Sequence, residues 1–348
     1  MSHTKHYPMQ FTGTGGEYFV IWIVNIALTL VTLGIYSAWA KVRTLRWFYG
    51  HTLLDNQAFT YLATPLQILK GRLLALAALV AYYATSYFAP MLAMLLLLAL
   101  FIAMPWIVVS SLRFNARMSA YRGLRFDFTG KLGEAAVIYI LLPILILPTL
   151  GLILPYMAYR QVRYIAGNTV YGQTAARHEG PLKPFWGVYL LAFVLLMLPI
   201  GVIAYGGYQA YALQAAGMPK EMAGAAAADS IGLGLLLFYL MLPVVSAMIM
   251  ARTANLFYNG TALGPVTFQS SQRARDLIWI YLTNLILIAL TLGLFIPWAK
   301  VRLARYRADH LALDAPDNLG QFIAGQQQGS AATGAEMADL FDLNVGLT

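Results

Sequence analysis

Long apolar runs separated by short polar stretches dominate the chain. Uncharged runs cover residues 18–40, 73–112, 135–159, 184–219, 230–251 and 277–299. A helix needs only about 20 such residues to cross the hydrocarbon core of a bilayer. The run 73–112 is long enough for two spans, and Pro90 near its middle favours a tight turn between them. The pattern predicts a polytopic membrane protein.

One stretch occurs three times along the chain. It reads T-L-G-I-Y-S-A-W-A-K-V-R at Thr32–Arg43, T-L-G-L-I-L-P-Y-M-A-Y-R at Thr149–Arg160 and T-L-G-L-F-I-P-W-A-K-V-R at Thr291–Arg302. The second and third copies start 117 and 259 residues after the first, since 149 − 32 = 117 and 291 − 32 = 259. These constant offsets indicate three internal repeats, at about residues 11–50, 128–167 and 268–310.

The basic residues conflict with a simple series of spans. Lys and Arg stay on the cytoplasmic side during insertion, yet seven successive spans would place the basic loops 41–72 and 160–183 on opposite sides. The conflict disappears if each repeated segment returns to its starting side while segments 73–89, 91–112, 184–207 and 230–251 cross in pairs. Of the 23 Lys and Arg residues, only Lys220 is then external. The net charge of +9 is then topogenic; the alternative is a specific anionic partner.

We therefore expect the repeated segments to be re-entrant or broken helical hairpins with bends at Gly34, Gly151 and Gly293. Glycine readily adopts the left-handed conformation that ends a helix. Arms of about 14 residues reach only ~20 Å, short of a ~30 Å hydrocarbon core, so the bends would lie inside the membrane. The alternative is an ordinary tilted span.

Short alternating stretches predict some β-structure outside the membrane. Residues 59–61, 126–128 and 266–268 alternate at a strand period, and turn-forming residues precede each of them (Asp55–Asn56, Arg122–Gly123 and Asn259–Gly260). The predicted fold is an all-α polytopic membrane protein with internal repeats and these small cytoplasmic β-hairpins. Its membrane domain covers 1–307, and 308–348 is an acidic tail expected to be disordered. The segment from Glu336 to Leu347 is either a site for a protein partner or a solvated end.

Several motifs together resemble one known family. They are F-x-G-x-G near Phe11, N-x-x-L-T-x-x-T-L-G-I-Y from Asn25, W-A-K-V-R from Trp39, G-L-R-F-x-F from Gly123, and the ending D-L-F-D-L-N-V-G-L. With this combination the chain resembles the YjgN family of bacterial inner-membrane proteins over nearly its whole length. The resemblance implies a location in the inner membrane, but it carries over no activity and no site residue.

Catalytic and metal-binding patterns are missing from the sequence. The five histidines show no metal-ligand spacing, and the absence of cysteine excludes thiolate ligands. The glycines of Gly13–Gly16 lack the lysine of a phosphate-binding loop. The basic residues are scattered and not clustered on a soluble domain. We expect no enzyme, no cofactor and no nucleic-acid partner.

Two groups of polar residues are candidates for a functional site. Asn25 and Asn284 lie at equivalent positions of two repeats, where they either line a polar path for a small solute or hold helices together. Six arginines follow the repeated motif and either contact anionic lipid headgroups and solutes at the cytoplasmic side or only anchor helix ends: Arg43, Arg46, Arg160, Arg163, Arg302 and Arg305.

No charged residue lies well inside an apolar segment, which argues against an ion-coupled pump. The first hypothesis is a passive channel or transporter-like protein for a small or amphiphilic molecule, with both termini in the cytoplasm. The alternative is a membrane scaffold or regulatory subunit that acts through its cytoplasmic β-elements and acidic tail. Its partners would be the lipid bilayer and, in the scaffold case, another protein.

The absence of cysteine allows a direct topology test. Single cysteines introduced at Thr14 and Thr44 flank the first repeated segment. A hairpin predicts that an impermeant maleimide labels both from the cytoplasmic side. Labelling of the two positions from opposite sides would instead indicate a span.

Overall fold

The computed structural model describes residues 4–316, 319–320 and 322–327. Its helices are α1 (Gly15–Val31), α2 (Ser37–Gly50), α3 (Pro65–Phe88), α4 (Pro90–Arg117), α5 (Leu132–Ala136), α6 (Leu142–Ile144), α7 (Leu154–Gly167), α8 (Lys183–Ala215), α9 (Lys220–Asn259), α10 (Ala274–Leu290) and α11 (Ile296–Asp309). A π-helical turn, Val137–Leu141, joins α5 to α6. The strands are β1 (Thr4–Phe11), β2 (Thr52–Leu54), β3 (Gln57–Tyr61), β4 (Ser119–Tyr121), β5 (Leu124–Phe128), β6 (Thr169–Tyr171), β7 (Thr174–His178), β8 (Thr261–Leu263), β9 (Val266–Ser270) and β10 (Leu311–Pro316).

The described strands form one closed antiparallel barrel. Each strand pairs with its neighbour in the chain, from β1–β2 through to β9–β10. The ring closes where β10 pairs with β1, in a register that runs from Thr4 opposite Pro316 to Pro8 opposite Ala312. The prediction of an all-α fold is therefore wrong, because the expected small β-hairpins are parts of this barrel.

The barrel escaped prediction because its strands are short and its pairings are distant in sequence. Strand β3 pairs with β4 through Phe59 and Tyr121, and a complete helix pair lies between them. The two turns at Asp55–Asn56 and Arg122–Gly123 join strands as expected, but the turn between β8 and β9 lies at Gly264 and Pro265, not at Asn259–Gly260.

Part of the expected disordered tail forms a strand of the barrel. Strand β10 occupies residues 311–316, inside the region expected to be a disordered tail. Its Leu313 and Ala315 point into the core, at 7% and 0% exposure. Residues 317–318, 321 and 328–348 lie outside the described residues, and with them the candidate partner segment from Glu336 to Leu347.

The barrel has two different ends. At one end, tight turns join β2 to β3, β4 to β5, β6 to β7 and β8 to β9, with positive φ at Asp55, Asn56, Arg122 and three glycines. At the other end, helices connect β1 to β2, β3 to β4, β5 to β6, β7 to β8 and β9 to β10. Both ends of every helical connection therefore attach at one end of the barrel.

The barrel core is aromatic and aliphatic, with buried hydroxyl groups bonded to the backbone. Tyr121 donates a hydrogen bond to the Leu54 carbonyl at 2.7 Å, and Tyr171 donates one to the Tyr121 carbonyl at 3.0 Å. Burial raises the pKa of both tyrosines, since it disfavours their charged forms. These bonds satisfy polar groups that burial would otherwise leave unpaired.

Four described helices are long and apolar enough to cross a membrane: Pro65–Phe88, Pro90–Arg117, Lys183–Ala215 and Lys220–Asn259. The first two belong to a compact unit that also contains the barrel. A second unit consists of Pro181–Leu256 and Ser271–Phe295. Within it, glycines permit close helix packing, because a Cβ atom on Gly234 would lie 2.6 Å from Cγ1 of Ile203.

The barrel contains one histidine whose burial predicts a loss of stability in acid. His178 is 7% exposed, and its Nδ1 lies 3.2 Å from Oγ1 of Thr261. Burial, followed by the positive charge of Arg163, lowers the pKa of His178. A lowered pKa in the folded state means that this stability is fully present above the unfolded-state pKa of about 6.5 and is lost as the pH falls from there through the lower, folded-state pKa.

We expect the thermal unfolding midpoint of the purified protein to decrease as the pH is lowered from 7.5 to 5. His178→Gln should make this decrease smaller. Tryptophan fluorescence during heating provides the measurement. If the thermal midpoint of His178→Gln changed with pH as much as that of the parent, His178 would not be the cause of the acid dependence.

Candidate functional site

The three repeated motifs adopt the same bend. The leucine and glycine of each copy have positive φ: Leu33 and Gly34, Leu150 and Gly151, Leu292 and Gly293. The glycine N–H donates to the carbonyl five residues earlier at 2.8 Å in each case, to Thr29, Ile146 and Ile288. This is the bond of a Schellman motif, which ends a helix with a left-handed residue.

The threonine of the motif fastens both sides of the bend. Thr32 donates from Oγ1 to the Leu28 carbonyl at 2.7 Å and accepts from the N–H of Tyr36 at 2.9 Å. Thr149 and Thr291 make the equivalent pairs of bonds. Because the hydroxyl replaces backbone partners lost at the bend, the sequence T-L-G specifies a bend that needs little water.

The tip of each bend presents an apolar side chain outwards. Leu33, Leu150 and Leu292 are 95%, 83% and 94% exposed. Leucine at such exposure is unfavourable in water but favourable in a hydrocarbon medium. The tips therefore suit lipid, and re-entry of these hairpins into the membrane stays a prediction.

The predicted arginines have several kinds of contact. Arg46 donates to the Ala63 carbonyl and Arg305 to the Gly13 carbonyl, both at 3.0 Å, where a strand leads into a helix. Arg160 lies 3.6 Å from Glu134 and donates to the Tyr156 hydroxyl. These contacts tie helices to their neighbours.

The other three arginines of the set differ from one another in exposure. Arg163 is exposed and donates to the Tyr159 hydroxyl at 3.3 Å. Arg43 is exposed on α2, and Arg302 is half-buried on α11. Arg46 and Arg305 are exposed as well, but both donate to backbone carbonyls. Arg43 and Arg163 are therefore the exposed members of the set most open to an external anion.

A pocket of about 490 Å³ lies between α1, α2 and α11. We call it the hairpin groove. Its lining combines aromatic, hydroxyl, amide and cationic side chains, among them Tyr18, Trp22, Asn25, Thr44, Lys41 and Lys300. The Lys300 Nζ lies 6.0 Å from the centre of the Tyr18 ring, at the edge of cation–π range.

Asn25 is the buried polar residue of the groove, at 6% exposure. Its Nδ2 is 3.4 Å from both the Ala40 carbonyl and Oγ1 of Thr44, which are long distances for hydrogen bonds. Its Oδ1 has no hydrogen-bond partner among the described residues. The amide therefore has an unpaired acceptor beside the groove, which a donor group of a bound molecule would satisfy after a small movement of the side chains around it. Asn284, the equivalent residue on α10, is also 6% exposed.

Sequence reasoning singled out Asn25 but not the two lysines beside it. The signal was present, because Lys41 and Lys300 are equivalent in the first and third repeats, while Ala158 takes that position in the second. Among the described residues, no group of three His, Asp or Glu side chains is placed to hold a metal ion.

Comparisons with known proteins agree with the sequence resemblance. The family described as "Bacterial protein of unknown function (DUF898)" matches residues 6–340. A Salmonella typhimurium protein named inner membrane protein YjgN is 27% identical over 348 residues, which cover 88% of each chain. Proteins of the same name from Escherichia coli O157:H7 and K12 are 32% and 31% identical over 142 and 150 residues, about 40% of this chain and 36% of theirs. No solved structure matches the chain significantly.

Backbone geometry predicts different effects on stability when alanine replaces a glycine of the first bend and a glycine within a helix. Gly34 has a φ of +92° and open space around it, so Gly34→Ala should cost about 1–2 kcal/mol through backbone strain alone. Gly71 lies within α3, also in open space, so Gly71→Ala should be neutral or stabilise by up to ~1 kcal/mol. Unfolding in mixed detergent micelles measures both changes. Equal effects would contradict the bend.

Proposed function

Because this chain belongs to the DUF898 family, which includes the inner membrane proteins named YjgN, we propose that it is an inner-membrane protein that binds a small amphiphilic molecule and allows its passage between leaflets. The hairpin groove is the proposed site. The buried Oδ1 of Asn25, with no partner among the described residues, is the observation that carries the proposal.

The proposed orientation places the barrel and both termini in the cytoplasm. All helical connections attach at one end of the barrel, so their ends share one side of the membrane. The positive-inside rule then assigns that side. Lys220, at the start of α9, is distant in sequence from every strand and would be the one external Lys or Arg of the 23 in the chain.

A buried amide oxygen favours a ligand with a hydrogen-bond donor. Inside a bilayer no water compensates for an unpaired acceptor, which costs several kcal/mol in hydrocarbon and less where water reaches it. A hydroxyl, amine or amide of a bound molecule would satisfy Oδ1 of Asn25. Thr29 cannot do so through its own proton, because its hydroxyl donates to the Asn25 backbone carbonyl at 2.6 Å.

Two lysines favour an acidic head group on the same molecule. Lys41 and Lys300 are exposed and line the groove with Asn25. Their aromatic and aliphatic neighbours, such as Trp22 and Leu30, suit an apolar tail. An anionic phospholipid with hydroxyl groups in its head, such as phosphatidylglycerol, has all three features.

Lipid exchange between leaflets tests the proposal. The purified chain in liposomes should speed the exposure of fluorescent phosphatidylglycerol to external dithionite. Asn25→Leu should slow this exchange about fivefold, since a hydrogen bond to a polar head group contributes on the order of 1 kcal/mol. Ser86→Leu, a polar-to-leucine change at an exposed position of α3, should leave the rate unchanged.

Selectivity provides a second readout for the same site. A double variant, Lys41→Gln with Lys300→Gln, should slow fluorescent phosphatidylglycerol more than fluorescent phosphatidylcholine, because only the first lipid carries a net negative charge. No exchange activity in the parent, or equal rates for Asn25→Leu and Ser86→Leu, would refute the proposed site.

Truncation separates this function from a scaffold role. Removing residues 328–348 leaves the described residues intact. Full lipid exchange by the truncated chain would support a membrane activity that is independent of the tail. Loss of exchange would favour the scaffold or regulatory alternative.

A further inference from the structure

The barrel encloses a second cavity of about 560 Å³, separate from the hairpin groove. We call it the lumen. Its wall consists of inward-facing strand residues such as Leu54, Phe59, Phe126, Val266 and Leu313. The volume falls in the range of small-molecule sites, about 300–1,000 Å³. A barrel of this strand number is wide enough that its side chains need not fill the centre.

The lumen extends along the whole barrel. Leu319, Phe322 and Ile323 line it beyond β10, near the tight turns. Leu112 on α4 and Ile165 on α7 line it at the end that bears the helices. An elongated apolar channel of this kind suits a linear molecule better than a compact one.

Several polar atoms of the lumen already have partners within the protein. Tyr121 and Tyr171 donate to backbone carbonyls, and the Tyr49 hydroxyl lies 2.9 Å from Oγ of Ser119. Among the described lining residues there is no Asp, Glu, Lys, Arg or His. Water would find few partners there, and an unfilled cavity of this size is costly in packing.

The end near the tight turns is closed by the chain itself. Oε1 of Gln326 accepts a hydrogen bond from the N–H of Gln173 at 2.9 Å, and Nε2 of Gln327 donates to the Arg122 carbonyl at 2.8 Å. These bonds hold the segment with Phe322 across the turns. The helix-bearing end, where the exposed amide of Asn115 joins the lining, is left to receive a molecule.

We propose that the lumen binds one linear acyl chain, supplied by a free fatty acid or a single-chain lysophospholipid, with its head group at Asn115. The chain fills the apolar channel, and the head group stays outside because the lumen holds no charged partner. This site is distinct from the hairpin groove in its position and in the uncharged chemistry of its wall.

Photocrosslinking locates the bound chain. The full-length protein in liposomes is illuminated with palmitic acid that carries a diazirine near its methyl end, and the labelled peptides are mapped. With the head group at Asn115, the methyl end reaches the tight-turn end, so we expect labels on lumen-lining strand residues there, such as Leu54, Leu263 and Val266. Unlabelled palmitate or lysophosphatidylethanolamine should reduce these labels at least fivefold. Competition by only one of the two identifies the source of the chain.

A variant and a matched control test the position of the cavity. Ala116 lines the lumen from α4 and is half-buried, so Ala116→Phe should displace the chain and remove most strand labels. Ala99 is exposed on the same helix and does not line the lumen, so Ala99→Phe should keep them.

The parent protein alone also decides the proposal, whether or not Ala116→Phe folds. Labels confined to the apolar helices, or strand labels that neither competitor reduces, would overturn it. Equal strand labelling in folded Ala116→Phe and Ala99→Phe, judged by matching thermal midpoints, would also overturn it.

Discussion

The hydrogen bonds that close the barrel between β1 and β10 constrain the rest of the structure. They join residues about 300 positions apart, such as Tyr7 and Leu313. Once the ring is closed and antiparallel, a helix that leaves the barrel needs a partner that returns to the same end. Each helical connection therefore leaves from and returns to the same end of the barrel, whether its helices are long enough to cross a bilayer or not. The position of both ends of a helix pair follows from strand pairing and not from hydrophobicity.

Local features of the fold could be read from the sequence, and distant ones could not. The T-L-G motif contains all the groups that make its bend: the threonine hydroxyl, the left-handed glycine and the preceding turn of helix. The two turns at Asp55–Asn56 and Arg122–Gly123 were visible for the same reason. The barrel was not, because a strand of three residues, such as Thr52–Leu54, carries too little pattern by itself. Strand β10 was hidden further, since its Asp314 resembles the acidic residues of the tail.

The candidate site likewise has some features that could be read from the sequence and others that depend on distant contacts. Internal repetition identified Asn25, because it recurs as Asn284, and its burial is consistent with either role expected for it, a polar path or a contact that holds helices together. Repetition did not reveal that Lys41 and Lys300 would line one groove, since the packing of α11 against α1 is a contact between distant parts of the chain. It also suggested a set of arginines with one role, whereas Arg46 and Arg305 bind backbone carbonyls at strand-to-helix junctions. A charge at a helix end is equally consistent with a ligand or with a backbone acceptor, and only the folded contact separates the two.

The helices start from the same end of the barrel but differ in length, and this difference explains why a lipid-facing groove would form at the first hairpin. Helices α1 and α3 both start near the helix-bearing end of the barrel, but they contain 17 and 24 residues. At about 1.5 Å per residue, α1 ends roughly 10 Å before α3 does. In the proposed orientation the exposed Leu33 then lies within the hydrocarbon core and leaves lipid beyond it. A molecule whose head contacts Lys41 and Asn25 would extend its tail towards that leucine. The short hairpin would thereby place a polar groove inside the membrane. A helix pair that spanned the membrane would fill the same space with its own side chains.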